Sequence, residues 1–244
     1  MSNTSIPVLA INLERSEDRW QQLSQRAEAA GVQLTRIDAV DGRALAAEKW
    51  DHFDARGFRL WHGRRPLAAE YGCYMSHIKA LRHVADNQID FAVILEDDAT
   101  FEPDFLERLE AVRHSGHASG VVKLFNHRLS GFVRKGNTSA GDNMGACIHG
   151  PLGSAMAYTV TAQAALKLQT ALLPMFLPYD IALERGWAHG VKVLTTAKPL
   201  ARPQPQKSTI GSYGSTKLPR YKRLTTAGFR GVDYVRRAAY SFYA

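Results

Sequence analysis

Residues 91–98 read Phe-Ala-Val-Ile-Leu-Glu-Asp-Asp, five apolar side chains followed at once by three carboxylates. An unbroken apolar run of this length suits a strand buried on both faces, as in a parallel sheet covered by helices. Glu96, Asp97 and Asp98 then fall at the carboxyl end of that strand, where open α/β sheets bind their ligands. Adjacent carboxylates repel one another, and a bound cation is a natural reason to place three together. Oxygen ligands favour Mg²⁺ or Mn²⁺, and such an ion can in turn hold a diphosphate. A solvated acidic turn before the next helix is the competing account.

The flanking pattern also points to an α/β fold. Residues 8–13 read as a strand, Ser16 as the cap of a helix running to about Ala30, and 32–37 as a second strand entering a turn at 38–43. This β-α-β opening argues for a parallel sheet with a nucleotide-sized crevice. Residues 66–86 have helical spacing, with Met75, Ile78, Leu81 and Ala85 near one face. A short helix at 105–113 and a strand at 121–125 follow. Residues 126–153 hold six glycines among polar residues and read as a long loop over the site. A strand at 155–160, a helix capped by Thr161, a Pro174–Pro178 turn into Asp180, a strand at 191–195 and an extended connector at 199–216 complete a single domain over 1–216.

No apolar stretch approaches the roughly 20 residues needed to span a bilayer, and residues 2–5 are polar. Cys73 and Cys147 form no metal-ligand spacing and need no partner, as expected of a cytosolic chain with reduced thiols. Of the net charge of +8, six units belong to residues 217–244, which hold seven Lys or Arg and one Asp. These cations alternate with Tyr221, Phe229, Tyr234, Tyr240, Phe242 and Tyr243. Such a basic, aromatic tail suits an anionic membrane surface. No nucleic-acid-binding motif accompanies it, so nucleic acid is the weaker expectation; a merely solvated end is the plainest one.

Several segments together resemble glycosyltransferase family 25, the bacterial lipooligosaccharide glycosyltransferases. They are AINLERSEDRW (10–20), IDAVDGR (37–43), EYGCYMSHIKAL (70–81), FAVILEDDATF (91–101), AMAYTVTAQAALKL (155–168), PYD (178–180) and PQKSTI (205–210). The resemblance spans residues 8–210. It implies a glycosyltransferase A type fold, a Rossmann-like α/β/α sandwich with a mostly parallel central sheet. It also implies an inverting transfer of a hexose, most often galactose from UDP-galactose, onto a lipooligosaccharide or lipopolysaccharide core sugar.

By that resemblance Asp98, with Glu96, binds Mn²⁺ or Mg²⁺, while Glu96 and Asp97 contact ribose or metal-bound water. Asn12 and Arg15 follow the first strand, and the Arg15 guanidinium suits a diphosphate or the nucleotide. Arg19 reads as a solvated helix residue. Asp41 would accept a ribose hydroxyl and Gly42 permit the chain reversal, with a plain turn as the other reading. Glu70, Ser76 and His77 lie on the donor side. Six residues separate Glu70 from Ser76, so at least one of them caps or packs; His77 contacts the donor or is a hydrogen-bonded core residue. Cys73 reads as a small buried residue.

Inversion requires a general base for the acceptor hydroxyl. Asp180, matching the family's Pro-x-Asp, is the first candidate and Glu184 the reserve; a helix N-cap is the other role open to Asp180. Gln206 and Ser208, with Ile210, match a late donor-side segment. His149 and His189 have no spacing that marks them as ligands. The expected partners are a UDP-hexose donor, a lipid-linked oligosaccharide acceptor and, through the tail, an anionic membrane, with no nucleic acid. The expected place is the cytoplasmic face of the inner membrane, as a peripheral protein. A metal-dependent nuclease or phosphatase, or a nucleotide-sugar-binding protein without catalysis, are the rival functions.

Overall fold

The computed structural model describes residues 5–204 and 216–244. In chain order it runs β1 (Val8–Asn12), α1 (Glu17–Ala29), β2 (Leu34–Asp38) and α2 (Ala55–Gly57), a single turn that continues into a π-helical turn at Phe58–His62. Then come α3 (Ala68–Asp86), β3 (Phe91–Glu96), β4 (Ala99–Phe101), α4 (Phe105–Arg113), β5 (Val121–Lys123), β6 (Ser130–Asn137) and β7 (Asn143–His149). The order ends with β8 (Ala157–Thr161), α5 (Ala162–Ala171), α6 (Tyr179–Leu183), α7 (Gly186–His189), β9 (Val193–Thr196), β10 (Ala201–Pro203) and α8 (Leu224–Tyr243).

Eight strands form one sheet in the order β2-β1-β3-β8-β5-β9-β7-β6. Six of them point the same way; β8 and β7 run against the rest. The continuous apolar runs follow from the two layers of helix that cover this sheet. Successive side chains of a strand point to opposite faces. Leu9 and Ile11 of β1 and Ala92 and Ile94 of β3 therefore enter the core under α3 and α5. Val8, Ala10, Phe91, Val93 and Leu95 enter the core on the other face, with Leu23 of α1 and Phe105, Leu109 and Val112 of α4. Each full burial of a Val, Leu or Ile side chain contributes about 1.5–3 kcal/mol, and neither face of these strands carries a polar residue before Asn12 ends β1 and Glu96 ends β3.

Two regions depart from the sequence reading. Residues 126–153 are not a long loop: β6 and β7 pair as an antiparallel hairpin at the sheet edge. Their glycines read as breakers, yet Gly141, at φ +82, only closes the turn between the strands, a conformation glycine adopts without strain. Nor is 217–244 an appended tail. Its α8 lies across β7 and the Phe58–His62 turn, and its fixing contacts reach deep into the body. Asp233 accepts from Arg185 Nε at 2.8 Å, and the Tyr240 hydroxyl accepts from the Val193 N–H at 2.6 Å.

Candidate active site

At the carboxyl ends of β1 and β3 the sheet opens into a cavity of about 690 Å³. Its floor is the acidic end of β3. One wall is the turn after β2 with the first half of α3; the opposite wall is Ser154–Met156 with the start of α6.

The three carboxylates are held in different ways. Asp97 is clamped from within the protein. The Asn12 side-chain amide donates to its Oδ2 at 2.8 Å, and the Arg19 guanidinium donates to Oδ1 through two nitrogens, the longer contact at 2.9 Å. Asn12 is fixed in turn, its Oδ1 accepting from Arg36 at 2.7 Å. Asp97 therefore braces β1 and α1 against β3, its Oδ1 accepting twice and its Oδ2 once, while it still lines the cavity. Arg19, expected in solvent, is its clamp: burial of the Asp97 charge draws the guanidinium inward.

Asp98 is the opposite case. Its Oδ1 is buried with no hydrogen-bond partner among the described residues, and burial, then Glu96 beside it, push its carboxyl up to about 6 against the pull of Arg19. Glu96 turns one oxygen toward His77 Nε2 at 3.4 Å. His77 is fully buried, stacked 4.1 Å from the Tyr179 ring, with Nδ1 3.2 Å from the Tyr158 hydroxyl. Both readings of His77 thus meet in one residue, which belongs to the core yet faces Glu96 at the cavity floor.

The wall formed by α3 depends on a close approach. A Cβ on Gly42 would lie 1.9 Å from the Ala68 carbonyl oxygen, so only glycine lets the turn seat on the helix. Ser76 Oγ accepts from the Val40 N–H at 2.8 Å and donates to the Gly72 carbonyl at 2.6 Å. Ser76 therefore holds the turn that carries Asp41. Asp41 caps that turn through the Arg43 N–H at 3.1 Å and pairs with Arg15, so the expected phosphate and ribose contacts begin as partners of each other. Glu70 reaches back to the Leu67 N–H at 2.8 Å, one half of a capping box. Its second oxygen is buried at the cavity wall without a partner among the described residues.

Asp180 and Glu184 part company. Asp180 lines the cavity in the first turn of α6, where Pro178 holds the N-cap position. Burial, then Glu184 nearby, push its carboxyl above the ordinary range. Glu184 does not reach the cavity. It is buried, and its oxygens accept from Lys123 Nζ (2.6 Å), the Leu152 and Gly153 N–H groups (2.9 and 3.1 Å) and Arg237 Nη1 (3.1 Å). Burial alone would raise its pKa; Lys123 and Arg237 outweigh that and hold it low. The reserve base is thus a structural anion.

Gln206 and Ser208 lie outside the described residues. Just before them, β10 pairs with β4 and the Gln204 N–H donates to the Asp98 carbonyl at 2.7 Å, which brings the chain back to the acidic end of β3. His189 is bonded to the Leu183 carbonyl and His149 stacks on Tyr234, both away from the cavity. His62 and His127 line the cavity without a sequence signal. Burial, then Arg64 and Arg230, depress the His62 imidazole to about 4, so it is neutral near pH 7.

The residues present fit a hard divalent cation. Glu96 and Asp98 offer oxygen ligands, one of them a buried, unpartnered atom. Glu70, Glu96, Asp98 and Asp180 line one cavity together with Arg15, Arg19, Arg43 and Arg64, so carboxylates for a cation and guanidinium groups suited to phosphate share one space. Cys73, His77 and Glu96 also bring one donor atom each within 4.8 Å of the others, but burial, then the surrounding carboxylates, hold the Cys73 thiol well above its ordinary pKa. That mixed set is also softer than Mg²⁺ or Mn²⁺ prefers.

Comparison with known proteins identifies a family. The profile of "Glycosyltransferase family 25 (LPS biosynthesis protein)" matches residues 5–183. A "Glycosyltransferase 25 family member" of Drosophila pseudoobscura pseudoobscura is 30% identical over 203 residues, covering 76% of this chain and 32% of that protein. "Procollagen galactosyltransferase 2" of Mus musculus is 30% identical over 106 residues, 42% of this chain and 17% of its own length. A crystallised glycosyltransferase involved in glycosylation of the major capsid of PBCV-1 aligns with a TM-score of 0.35 at 8% identity, covering 68% of this chain and 66% of that one. The chain spans about a third or less of the curated relatives it matches.

Proposed function

The chain belongs to glycosyltransferase family 25, and from that premise we propose that it transfers a hexose, galactose from UDP-galactose, with inversion, onto a core sugar of a lipid-linked lipooligosaccharide or lipopolysaccharide acceptor. One observation carries the reading. A cavity large enough for a nucleotide sugar lies at the carboxyl end of β3, and Asp98 there presents a buried, unpartnered oxygen beside Glu96. A galactosyl donor is supported by the procollagen galactosyltransferases among the relatives; a lipopolysaccharide acceptor is supported by the description the family carries.

Mn²⁺ or Mg²⁺ held by Glu96 and Asp98 would supply Lewis-acid neutralisation of the charge on the departing UDP. The chain's own residues do the rest. Asp97, locked by Asn12 and Arg19, keeps the end of β3 rigid, so the neighbouring carboxylates are positioned before the donor arrives. Asp41 and Arg15 trade their mutual ion pair for ribose and phosphate. Asp180 takes the proton of the acceptor hydroxyl as that oxygen attacks the anomeric carbon, and its raised pKa makes it the stronger base. A lipid-linked acceptor implies work at a membrane. The basic end of the chain supports a peripheral position on the cytoplasmic face of the inner membrane.

The test is UDP binding and slow donor hydrolysis across a panel of nucleotide sugars, with Mn²⁺ and with chelator, for wild type and Asp98→Ala. Cation-dependent UDP binding, weakened about 100-fold or more in the variant, and UDP release from UDP-galactose alone are expected. If no nucleotide sugar binds under either condition, the proposal fails.

A further inference from the structure

We propose that the outward face of α8 docks on an anionic lipid bilayer, which deepens the preceding reading and rests on it for the use of a lipid-linked acceptor. An ordinary surface helix buries an apolar stripe and shows water its charges. Much of α8 is reversed. Its buried side chains are Thr226, Arg237 and Ser241, and Asp233 and Tyr240 also face the body. Its exposed side chains include Leu224 (76% exposed), Val232 (52%), Val235 (65%), Phe242 (61%) and Tyr243 (89%). At 3.6 residues per turn these five fall, with Gly228 and Ala239, in one arc of about 100°, and no charged residue lies within it. A continuous apolar stripe of that kind marks an interaction surface, where scattered exposed hydrophobes would not.

Charge chooses the occupant. Residues 217–244 contain one acid, Asp233, and Arg185 already neutralises it at 2.8 Å. Exposed Arg236 borders the stripe, and Lys217, just before the helix, is exposed. A second copy of α8 laid on this face would offer Arg236 no acid, since Asp233 is already engaged. An anionic bilayer accepts both parts, the stripe at the acyl boundary and the cations among the headgroups. No helix among the described residues is long and apolar enough to cross a membrane, so α8 would lie in the interface plane.

The face is also presented in a fixed position. Arg237 is locked to Glu184 at 3.1 Å, Tyr240 to the Val193 N–H at 2.6 Å, and Thr226 Oγ1 to the Leu60 carbonyl at 2.8 Å. Leu60 shares its turn with His62, which lines the cavity. The first turn of α8 is thus anchored to the same turn that carries His62 to the cavity wall.

The experiment is co-sedimentation of the full chain, without donor, with phosphatidylglycerol-containing vesicles and with phosphatidylcholine vesicles. The variant Val232→Glu/Val235→Glu changes two exposed residues, and its melting temperature checks that it folds. Binding to anionic vesicles about tenfold or more stronger than to neutral ones, lost in the double variant with melting and UDP binding unchanged, is expected. Wild-type protein that ignores both vesicles, or a double variant that still binds, overturns the proposal. So does a dimer in sedimentation equilibrium that the double variant dissolves, which would assign the face to a second copy. Vesicle binding needs no turnover, so its failure and the failure of the transferase reading are seen in separate assays.

Discussion

Asp180 and Glu184 lie four residues apart, one in the first turn of α6 and the other at its C-cap, yet they are opposite kinds of carboxylate. Glu184 is met by four donors, two of them cationic, and its charge is held on. Asp180 faces the cavity, and burial makes its charge costly. Asp97 and Asp98 repeat the contrast at the end of β3: the first is clamped by Asn12 and Arg19, the second keeps an empty oxygen. In both pairs the number of donors around a carboxylate separates the engaged anion of the scaffold from the one left facing the cavity. Residue type and position along the chain do not.

The sharpest way to break this comparison is Glu184→Ala. Lys123 is fully buried and Arg237 nearly so, and removing their shared anion leaves two uncompensated charges. A loss of about 3–5 kcal/mol in urea unfolding is expected. Asp180→Asn should instead leave stability within about 1 kcal/mol and lower kcat by about 10²–10⁴-fold. If the two substitutions exchange phenotypes, Glu184 is the base and the distinction by donor count is wrong.

A smaller effect, with a sign that depends on pH, is expected at Asp98. Its carboxyl lies near 6 in the folded chain against an ordinary value of 3.8. A raised carboxyl means that the folded state holds its proton more tightly, so the penalty is complete above about pH 6 and gone below about 4. In chelator, Asp98→Asn should therefore stabilise the chain by up to about 3 kcal/mol at pH 7.5. The gain should shrink through pH 6 to 4, as read from unfolding midpoints across that range. Mn²⁺ should reverse the sign at pH 7.5 by stabilising wild type alone. A variant no more stable than wild type in chelator would mean that Asp98 has a partner and belongs with Asp97.

The same contrast explains what the sequence allowed to be read. The strands β1 and β3 were legible because burial on both faces writes itself as an unbroken apolar run, and the acidic end of β3 is the point where that constraint lapses. Asp98 could be placed from the end of its strand, and Asp180 from a turn together with its match to the family's Pro-x-Asp. Donor count was not legible, because the partners come from far along the chain. Arg237 is 53 residues from Glu184 and Arg19 is 78 from Asp97. The edge hairpin was missed because β6 is largely exposed and punctuated by glycine, and so lacks a clean alternation. The reversal of α8 was invisible for a related reason: composition showed its cations and aromatics but not which of them the body had already engaged.

The smallest effect tests whether a residue acts on the donor or on the wall behind it. Ser76 was expected to touch the donor, and it does line the cavity, but its hydroxyl is committed to the Val40 N–H and the Gly72 carbonyl. Ser76→Ala leaves a part-buried N–H unpaired, at a cost of about 1 kcal/mol. The turn that carries Asp41 is then held less firmly on α3. Loss through that turn should raise the donor KM by about threefold to tenfold with kcat nearly unchanged, together with a small fall in melting temperature. A direct donor hydrogen bond would weaken binding without touching the stability of the free chain. The melting temperature in the absence of ligand therefore decides between them, and an unchanged value would move Ser76 from the wall to the donor.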